Sequence, residues 1–332
     1  MVDNITIKGI EIYHPNDIET NDKYLEEFKL QGKDVRHLMV DIYGRDRRYV
    51  IHNDSKESKE QENSLTMQIK ATKKLLAACN VNGSDIDGII LASQVPEYLV
   101  PPNSILIHEE INGKLDCFCY DMNSNCISMI MALEQAYLYM EHNKKLNRVI
   151  VVGGDFLTQT PGHNQEILYG CFGDASCALL LERDNGTGKF IDNDFFVNDT
   201  YVHNILFPAC GISNIQKGKN IPSTAQAIGA DLPIVVERIH RLLEQNHLTL
   251  DDISYVCCSQ YVRANIEQIA NDLNEPLEKF PYVGDEFGYT GVTSPFLAFH
   301  KLVKEHSIKH GDYILFWSIG SGVQHIFTLI QY

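Results

Sequence analysis

The sequence predicts an α/β protein built from two pseudo-equivalent halves, and two observations carry that expectation. Short apolar strands alternate with longer helical stretches at 67–78, 130–140, 232–244 and 296–305, the pattern of a sheet covered by helices on both faces. The segment from Leu75 to Leu91 also lies over the segment from Leu242 to Cys258 without a gap. Each reads as a helix end, a short loop opening with polar residues, and a buried strand. A second pair follows in the same order, with Glu141-His142 and the strand Val149 to Gly153 set against Glu305-His306 and the strand Tyr313 to Trp317. Two matches in one order imply two copies of a single supersecondary unit.

With 332 residues, the chain is long enough for a large core and for two domains or two fused halves of one. The halves divide at 1–182 and 183–332. A net charge of -16 and a pI near 5.2 argue against a nucleic-acid backbone or an anionic membrane as partner. The nine cysteines form no CxxC pair and no His/Cys set with zinc spacing. Reduced thiols in a cytoplasmic protein are expected, with no metal or redox cofactor. The opening residues MVDNITIKGIEIYHP alternate like a strand, and no uncharged run reaches the ~18 residues a membrane helix needs.

The most informative local feature is Asp121-Met122-Asn123-Ser124-Asn125-Cys126, followed by a segment apolar on every face. It predicts a buried helix with a cysteine in its first turn. Unpaired N–H groups and partial positive charge at such a start favour a thiolate and can hold an oxyanion. Asn123, Ser124 and Asn125 are residue types that cap it. A small buried hydrophobe is the other reading of such a cysteine. Two glycine turns are candidates for the same site: Phe172-Gly173-Asp174-Ala175, where Asp174 is expected to hold its turn by accepting backbone N–H bonds, and Gly320-Ser321-Gly322 after an apolar strand.

The order of these pieces resembles the ketoacyl-ACP synthase III family of the thiolase superfamily over essentially the whole chain. The matching landmarks are Ile7-Lys8-Gly9-Ile10 running on to Tyr13-His14-Pro15, Gly44-Arg45-Asp46-Arg47-Arg48, Asp121 to Cys126, Val151-Val152-Gly153-Gly154-Asp155, Phe172-Gly173-Asp174-Ala175, and Gly311-Asp312 running into Gly320-Ser321-Gly322. The resemblance implies a thiolase-like fold, two pseudo-duplicated halves in five αβαβα layers, that dimerises. It places the family nucleophile on Cys126 and an oxyanion hole on the backbone N–H groups of Cys126 and Ser321.

Two positions depart from the family pattern. Where the family has a histidine after the strand ending at Cys257-Cys258, this chain has Ser259; where the family has an asparagine after a glycine, it has Tyr289. Neither replaces a neutral imidazole, because a hydroxyl near its reference pKa is a poor base and a phenol adds bulk. These residues do not support ordinary decarboxylative condensation. His325, just past the glycine turn, and Glu97 are the remaining proton-transfer candidates. In Pro96-Glu97-Tyr98-Leu99-Val100-Pro101-Pro102 the resemblance implies a loop reaching the partner subunit's acyl tunnel, with Val100 at its tip.

The family's nucleotide-gripping tryptophan and arginines have no counterpart: the only Trp is Trp317, in a core strand, and Glu166 stands at an arginine position. No bound cofactor is expected, and the resemblance favours a phosphopantetheine-linked thioester on acyl carrier protein over coenzyme A. Arg36, Arg45, Arg47, Arg48, Arg263, Lys217 and Lys219 are candidates for a basic rim, with solvated surface charge as the other reading. Two functions follow: acyl transfer through an acyl-Cys126 thioester in fatty-acid-like, polyketide or other specialised-metabolite assembly, or a non-catalytic or half-catalytic subunit of a heterodimeric ketosynthase. A homodimer is expected in the first case.

Overall fold

The computed structural model describes residues 4–54, 57, 60–215, 224–226 and 230–332, with 224 and 225 described through their backbone. Lys217 and Lys219 of the expected rim lie outside the described residues. The first sheet has the order β1-β7-β6-β4-β5, from β1 (Asn4–Tyr13), β7 (Ala175–Asp184), β6 (Arg148–Asp155), β4 (Gly88–Ala92) and β5 (Phe118–Met122). The second has the order β11-β12-β13-β8, from β11 (Ile253–Cys258), β12 (Tyr313–Gly320), β13 (Gln324–Gln331) and β8 (Lys189–Val197). Both combine parallel central strands with an antiparallel pair on one side: β4 runs parallel to β6 and antiparallel β7 and β1 follow, just as β11 runs parallel to β12 and antiparallel β13 and β8 follow. Small two-stranded pieces, β2 (Asp17–Thr20) with β3 (Arg47–Val50) and β9 (Ile205–Leu206) with β10 (Thr224–Ala225), lie outside these sheets.

The helices are α1 (Asn21–Leu30), α2 (Ser64–Cys79), α3 (Asn103–Glu110), α4 (Ser128–His142), α5 (Ile212–Ile215), α6 (Leu232–Gln245), α7 (Arg263–Asp272), α8 (Gly284–Phe287) and α9 (Ser294–Lys304). Three apolar clusters order the layers. α2 and α3 pack on one face of the first sheet through Leu75, Ile107, Leu91 and Val152. α4 and α9 fill the space between the sheets, where Leu133 and Phe299 share a core with Val151 and Phe316. α6 and α7 cover the outer face of the second sheet through Ile239, Ile266 and Phe327. The result is the five-layered αβαβα arrangement. A helix wedged between two sheets must be apolar on opposite faces, which is why α4 shows no polar side. The fully buried strands likewise read as unbroken apolar runs.

The repeat appears in detail at 82–85 and 249–252. Both loops form a short 3₁₀ turn ahead of a parallel strand, and both are closed by a capping box. Asp85 accepts from the Asn82 N–H at 3.1 Å, and Asp252 from the Thr249 N–H at 2.8 Å. The strand β7 ends at Asp184 and β8 begins at Lys189, so the chain passes between the sheets at 185–188. Among the described residues no helix is long and apolar enough to cross a membrane.

Candidate active site

The parallel strands of an α/β sheet deliver side chains at their carboxyl ends, and the site lies there. The strand β5 ends at Met122, and the chain turns through 123–127 before α4 begins at Ser128. Cys126 therefore sits two residues ahead of the helix rather than in its first turn. Asn123 Oδ1 accepts from the Asn125 N–H at 2.9 Å, and Ser128 Oγ accepts from the Ser124 N–H at 2.6 Å. Asn125 takes a left-handed conformation, φ 57°, which asparagine tolerates better than most residues.

Three hydrogen bonds fasten this turn to the second half. Ser318 Oγ donates to the Cys126 carbonyl at 3.3 Å, Gln324 Nε2 to the Ser124 carbonyl at 2.9 Å, and the Ser321 N–H to Asn125 Oδ1 at 2.8 Å. The glycine turn after β12 thus does come to the cysteine. Its Ser321 N–H, expected to face an oxyanion, is engaged by the Asn125 side chain.

A second close approach brings in Tyr289. Gly173 packs so tightly on the Phe287 carbonyl that an added Cβ would lie 1.9 Å from that oxygen, and Gly288 faces it at φ 71°. The Gly173 N–H donates to the Tyr289 carbonyl at 3.1 Å and the Tyr289 N–H to the Cys171 carbonyl at 2.9 Å. This short ladder aims the Tyr289 ring into a cavity of about 440 Å³, lined also by Cys126, Asn125, Gln94, Tyr261, Gly320 and Ser321. The remaining wall is largely apolar, with Leu38, Ile42, Val95, Leu157, Ile167 and Phe207 among its residues. Its size and its few polar groups are those of a small-molecule pocket.

Electrostatics work against a resting thiolate. Cys126 is 7% exposed. Burial pushes its thiol up to about 12; the hydroxyl of Tyr289 pulls the other way, the Asp155 carboxylate adds to the rise, and Gln94 opposes it. The expected thiolate-favouring helix start is outweighed by desolvation. Cys126 Sγ donates to Gln94 Oε1 at 3.5 Å. Behind Gln94 lies Asp155, whose Oδ1 accepts from Ser93 Oγ at 2.6 Å and from the N–H groups of Gln94 and Val95 at 3.0 and 2.9 Å. Burial nevertheless raises the Asp155 pKa to about 6. Burial also holds the Tyr289 phenol far above its ordinary range, with the Cys126 thiol adding to the effect and Ser259 countering it.

The other sequence candidates fall in different places. Ser259 is buried behind Tyr289; its N–H donates to the Trp317 carbonyl at 2.7 Å and its Oγ makes no well-aligned hydrogen bond among the described residues. His325 does not line the cavity. The alternation of β13 turns it into the outer layer, among Phe196, Phe327 and Trp317, where Nδ1 accepts from Trp317 Nε1 at 3.3 Å. Glu97 and Val100 are exposed and lie outside this chain's cavity wall, Val100 at 86%. Asp174 does accept backbone N–H bonds, but from Ile51 and Thr158, each at 3.0 Å, rather than from its own turn.

Of the expected basic rim, Arg45 and Arg48 are buried. Arg45 spans the two halves, donating to the carbonyls of Tyr43 at 2.8 Å and Cys171 at 3.2 Å on one side and of Gln260 at 2.9 Å and Tyr261 at 2.7 Å on the other. Arg47 and Arg263 pair with Glu286 at 2.8 Å and Glu267 at 2.7 Å. Gln94, Asn125 as a cavity residue, Tyr43 and Tyr261 were not anticipated as site residues. Gln94 carried one available signal, its position two residues beyond the end of a parallel strand.

With this geometry in place, the comparisons decide the lineage. Residues 120–198 match the family described as 3-oxoacyl-[acyl-carrier-protein (ACP)] synthase III, and residues 243–332 match its C-terminal counterpart, together about half of the chain. The chain is a ketoacyl-ACP synthase III-like member of the thiolase superfamily. This ketoacyl-ACP synthase III-like chain is 26% identical over 331 residues to the β-ketoacyl-[acyl-carrier-protein] synthase III of Methylococcus capsulatus, covering 98% of both, and 25% identical to that of Clostridium botulinum, covering 96% of both. Its fold matches 3-oxoacyl-[acyl-carrier-protein] synthase III of Aquifex aeolicus with TM-score 0.84 at 22% identity, covering 99% of this chain and 100% of the other. OleA of Xanthomonas campestris matches with TM-score 0.85 at 15% identity over 99% and 98%. Membership makes the chain a transferase of the acyl-transferring and condensing type.

Proposed function

We propose that this protein is an acyltransferase that takes an acyl group from a carrier-bound or coenzyme A thioester onto Cys126 and passes it to an acceptor. The observation that carries the reading is a buried Cys126 thiol at the floor of an apolar cavity where, among the described residues, no histidine lines the wall. Exchange between two thiols is neutral in protons. The Cys126 sulfur forms a bond to the acyl carbon, the bond between the acyl carbon and the pantetheine sulfur breaks, and the Cys126 proton ends on the departing pantetheine sulfur. Such a step needs an oxyanion site and a positioned thiol, and it does not need a strong base.

Decarboxylative condensation asks for more, because the enolate left by carbon dioxide must be stabilised as it forms. Ser259 and Tyr289 stand where the family's imidazole and carboxamide, respectively, would act, and a buried neutral phenol offers one donor in place of two groups. The acceptor is therefore an amine, a hydroxyl, a second carrier thiol or a carbon nucleophile activated elsewhere, in fatty-acid-like, polyketide or other specialised assembly. An acyl carrier protein is the favoured donor, since the coenzyme A-gripping residues have no counterpart. The thiol's high pKa also favours a second reading, a half-catalytic subunit that completes the tunnel of a fully equipped partner synthase.

Intact-mass spectrometry after mixing with acyl-carrier and acyl-coenzyme A thioesters tests the choice. The expected result is a single acyl adduct that Cys126→Ala abolishes. No adduct, or one that persists in Cys126→Ala, overturns the acyltransferase reading, and co-purification with a second synthase chain supports the subunit.

A further inference from the structure

We infer that the Asn125 carboxamide, rather than the Ser321 N–H, supplies the second oxyanion donor, relaying the backbone dipole of Ser321 into the cavity one side chain further out. This rests on the acyl-transfer reading and adds a residue to it. Ser321 N donates to Asn125 Oδ1 at 2.8 Å. Because a backbone N–H can only donate, the group facing it must be the carboxamide oxygen, which fixes the orientation that is ambiguous for most asparagines. The Nδ2 group is then turned away from Ser321, and among the described residues it has no protein partner. Asn125 lines the cavity beside Cys126, Gly320 and Ser321, and it is half-buried, so the free Nδ2 donor is offered to whatever occupies that space.

Two physical points favour the relay over a simple plug on Ser321. An amide whose oxygen already accepts a hydrogen bond is polarised and becomes a stronger donor at its nitrogen. A donor held in place before the reaction also costs no reorganisation as charge develops, whereas freeing the Ser321 N–H would first break a formed bond. The turn is built for the role. Asn125 sits at φ 57°, its own N–H is tied to Asn123 Oδ1 at 2.9 Å, and Gln324 clamps the adjacent Ser124 carbonyl at 2.9 Å.

Two substitutions separate the possibilities. Asn125→Asp keeps the oxygen that accepts from Ser321 but has no Nδ2 donor, and Asn125→Gly clears the side chain while suiting the positive φ. Two readouts are used: the rate of Cys126 acylation from an acyl thioester, and the affinity for a medium-chain aldehyde. The aldehyde forms a neutral hemithioacetal on Cys126 without any acyl transfer, the thiol proton passing to the former carbonyl oxygen that occupies the oxyanion position. The relay predicts that Asn125→Asp loses on the order of 10²–10³ in acylation rate, with KM changed little and aldehyde affinity falling in parallel, and that Asn125→Gly, which also bares the Ser321 N–H, loses less but stays below wild type in both readouts. Asn125→Gly acylating as fast as wild type, or faster, overturns it, since Asn125 is then a spectator or a plug. If wild type forms no acyl adduct, the acyl-transfer reading fails while the aldehyde arm still judges Asn125. Equal aldehyde affinity in wild type and both variants, or no aldehyde binding by wild type, overturns the relay.

Discussion

The Sγ of Cys126 donates to Oε1 of Gln94 at 3.5 Å, so the thiol proton is directed at an amide oxygen that can accept a hydrogen bond but cannot take the proton away. At rest Cys126 is therefore held as a thiol and not as a standing thiolate. With the thiol raised to about 12 by burial, alkylation of Cys126 by iodoacetamide is expected to climb about tenfold per pH unit from pH 7 to 10, with no plateau below about pH 11. A plateau at or below the ordinary thiol range near pH 8.5 would show an activated cysteine and sink this account.

Gln94 itself gives a second prediction. Shortening it in Gln94→Ala removes the acceptor from the thiol and the side chain that separates Cys126 from Asp155, whose Oδ2 makes no well-aligned hydrogen bond among the described residues and whose charged form the Gln94 side chain helps to hold. The Asp155 charge then acts on the thiol with less between them. Acylation of Cys126 is expected to fall by about tenfold, with the iodoacetamide profile moved to still higher pH. A profile moved to lower pH would mean that Asp155 takes the proton once Gln94 is gone.

His325 tests whether proximity in sequence to the glycine turn means proximity in space. Burial lowers its pKa to about 4 in the fold, against 6.5 for an ordinary histidine. As pH falls, the unfolded chain is protonated first, so the stability this residue contributes is whole above about pH 6.5 and is lost towards pH 4. The amount is about 3 kcal/mol at most. His325→Gln is expected to flatten the urea-unfolding midpoint between pH 4 and 6.5 while leaving Cys126 acylation within about threefold of wild type. A hundredfold loss of acylation with the fold intact would return His325 to the site.

Arg45 ties the halves together through four backbone carbonyls. Arg45→Met leaves the carbonyls of Gln260 and Tyr261 in a buried space without a donor, while those of Tyr43 and Cys171 keep the Tyr282 hydroxyl and the Tyr289 N–H. Each orphaned acceptor carries a desolvation penalty, and a loss of at least about 3 kcal/mol is expected in chemical denaturation. Loss of under about 1 kcal/mol would mean that water replaces the guanidinium.

What the sequence disclosed and what it hid follow one physical division. The duplication was legible because a helix end, a polar loop and a buried strand recur in the same order, a local pattern whose loops fold into the matching capping boxes of Asn82 with Asp85 and Thr249 with Asp252. Cys126 was legible because capping residues precede an apolar run, although the turn that carries it ahead of the helix is also bonded to Ser321, a residue distant in sequence. Arg45 and Arg48 read as surface charge because charge normally is. Only the convergence of carbonyls from both halves makes an interior place for Arg45, and nothing local announces it. His325 was misplaced by a single residue's worth of strand alternation: in β13 its neighbour Ile326 faces the central layer and His325 faces the outer one. Tyr289 lay at a family position, but its contact with the Cys126 thiol needed the glycine ladder at Gly173.

The loop at 96–102 supports the last prediction. It is held firmly at one end: Asn103 Oδ1 accepts from the Tyr98 N–H at 3.2 Å, and the Asp121 carboxylate accepts from the N–H groups of Asn103 and Ser104 at 2.6 and 2.9 Å. Yet this anchored loop presents Tyr98, Leu99 and Val100 at 49%, 68% and 86% exposure. Three consecutive apolar side chains on an ordered projection have no stabilising role in a lone chain and are suited to burial against a second copy. Gel filtration of the wild-type protein is expected to give a dimer. Leu99→Asp with Val100→Asp would place two charges in that interface and weaken association at least about a hundredfold, with far-UV circular dichroism unchanged because neither residue packs within its own chain. A wild-type monomer, or a double variant that remains dimeric at micromolar concentration, would exclude the loop from the interface. If the variant is monomeric and also slower to acylate, the partner's Val100 shapes the cavity; if acylation is unchanged, the loop serves assembly alone.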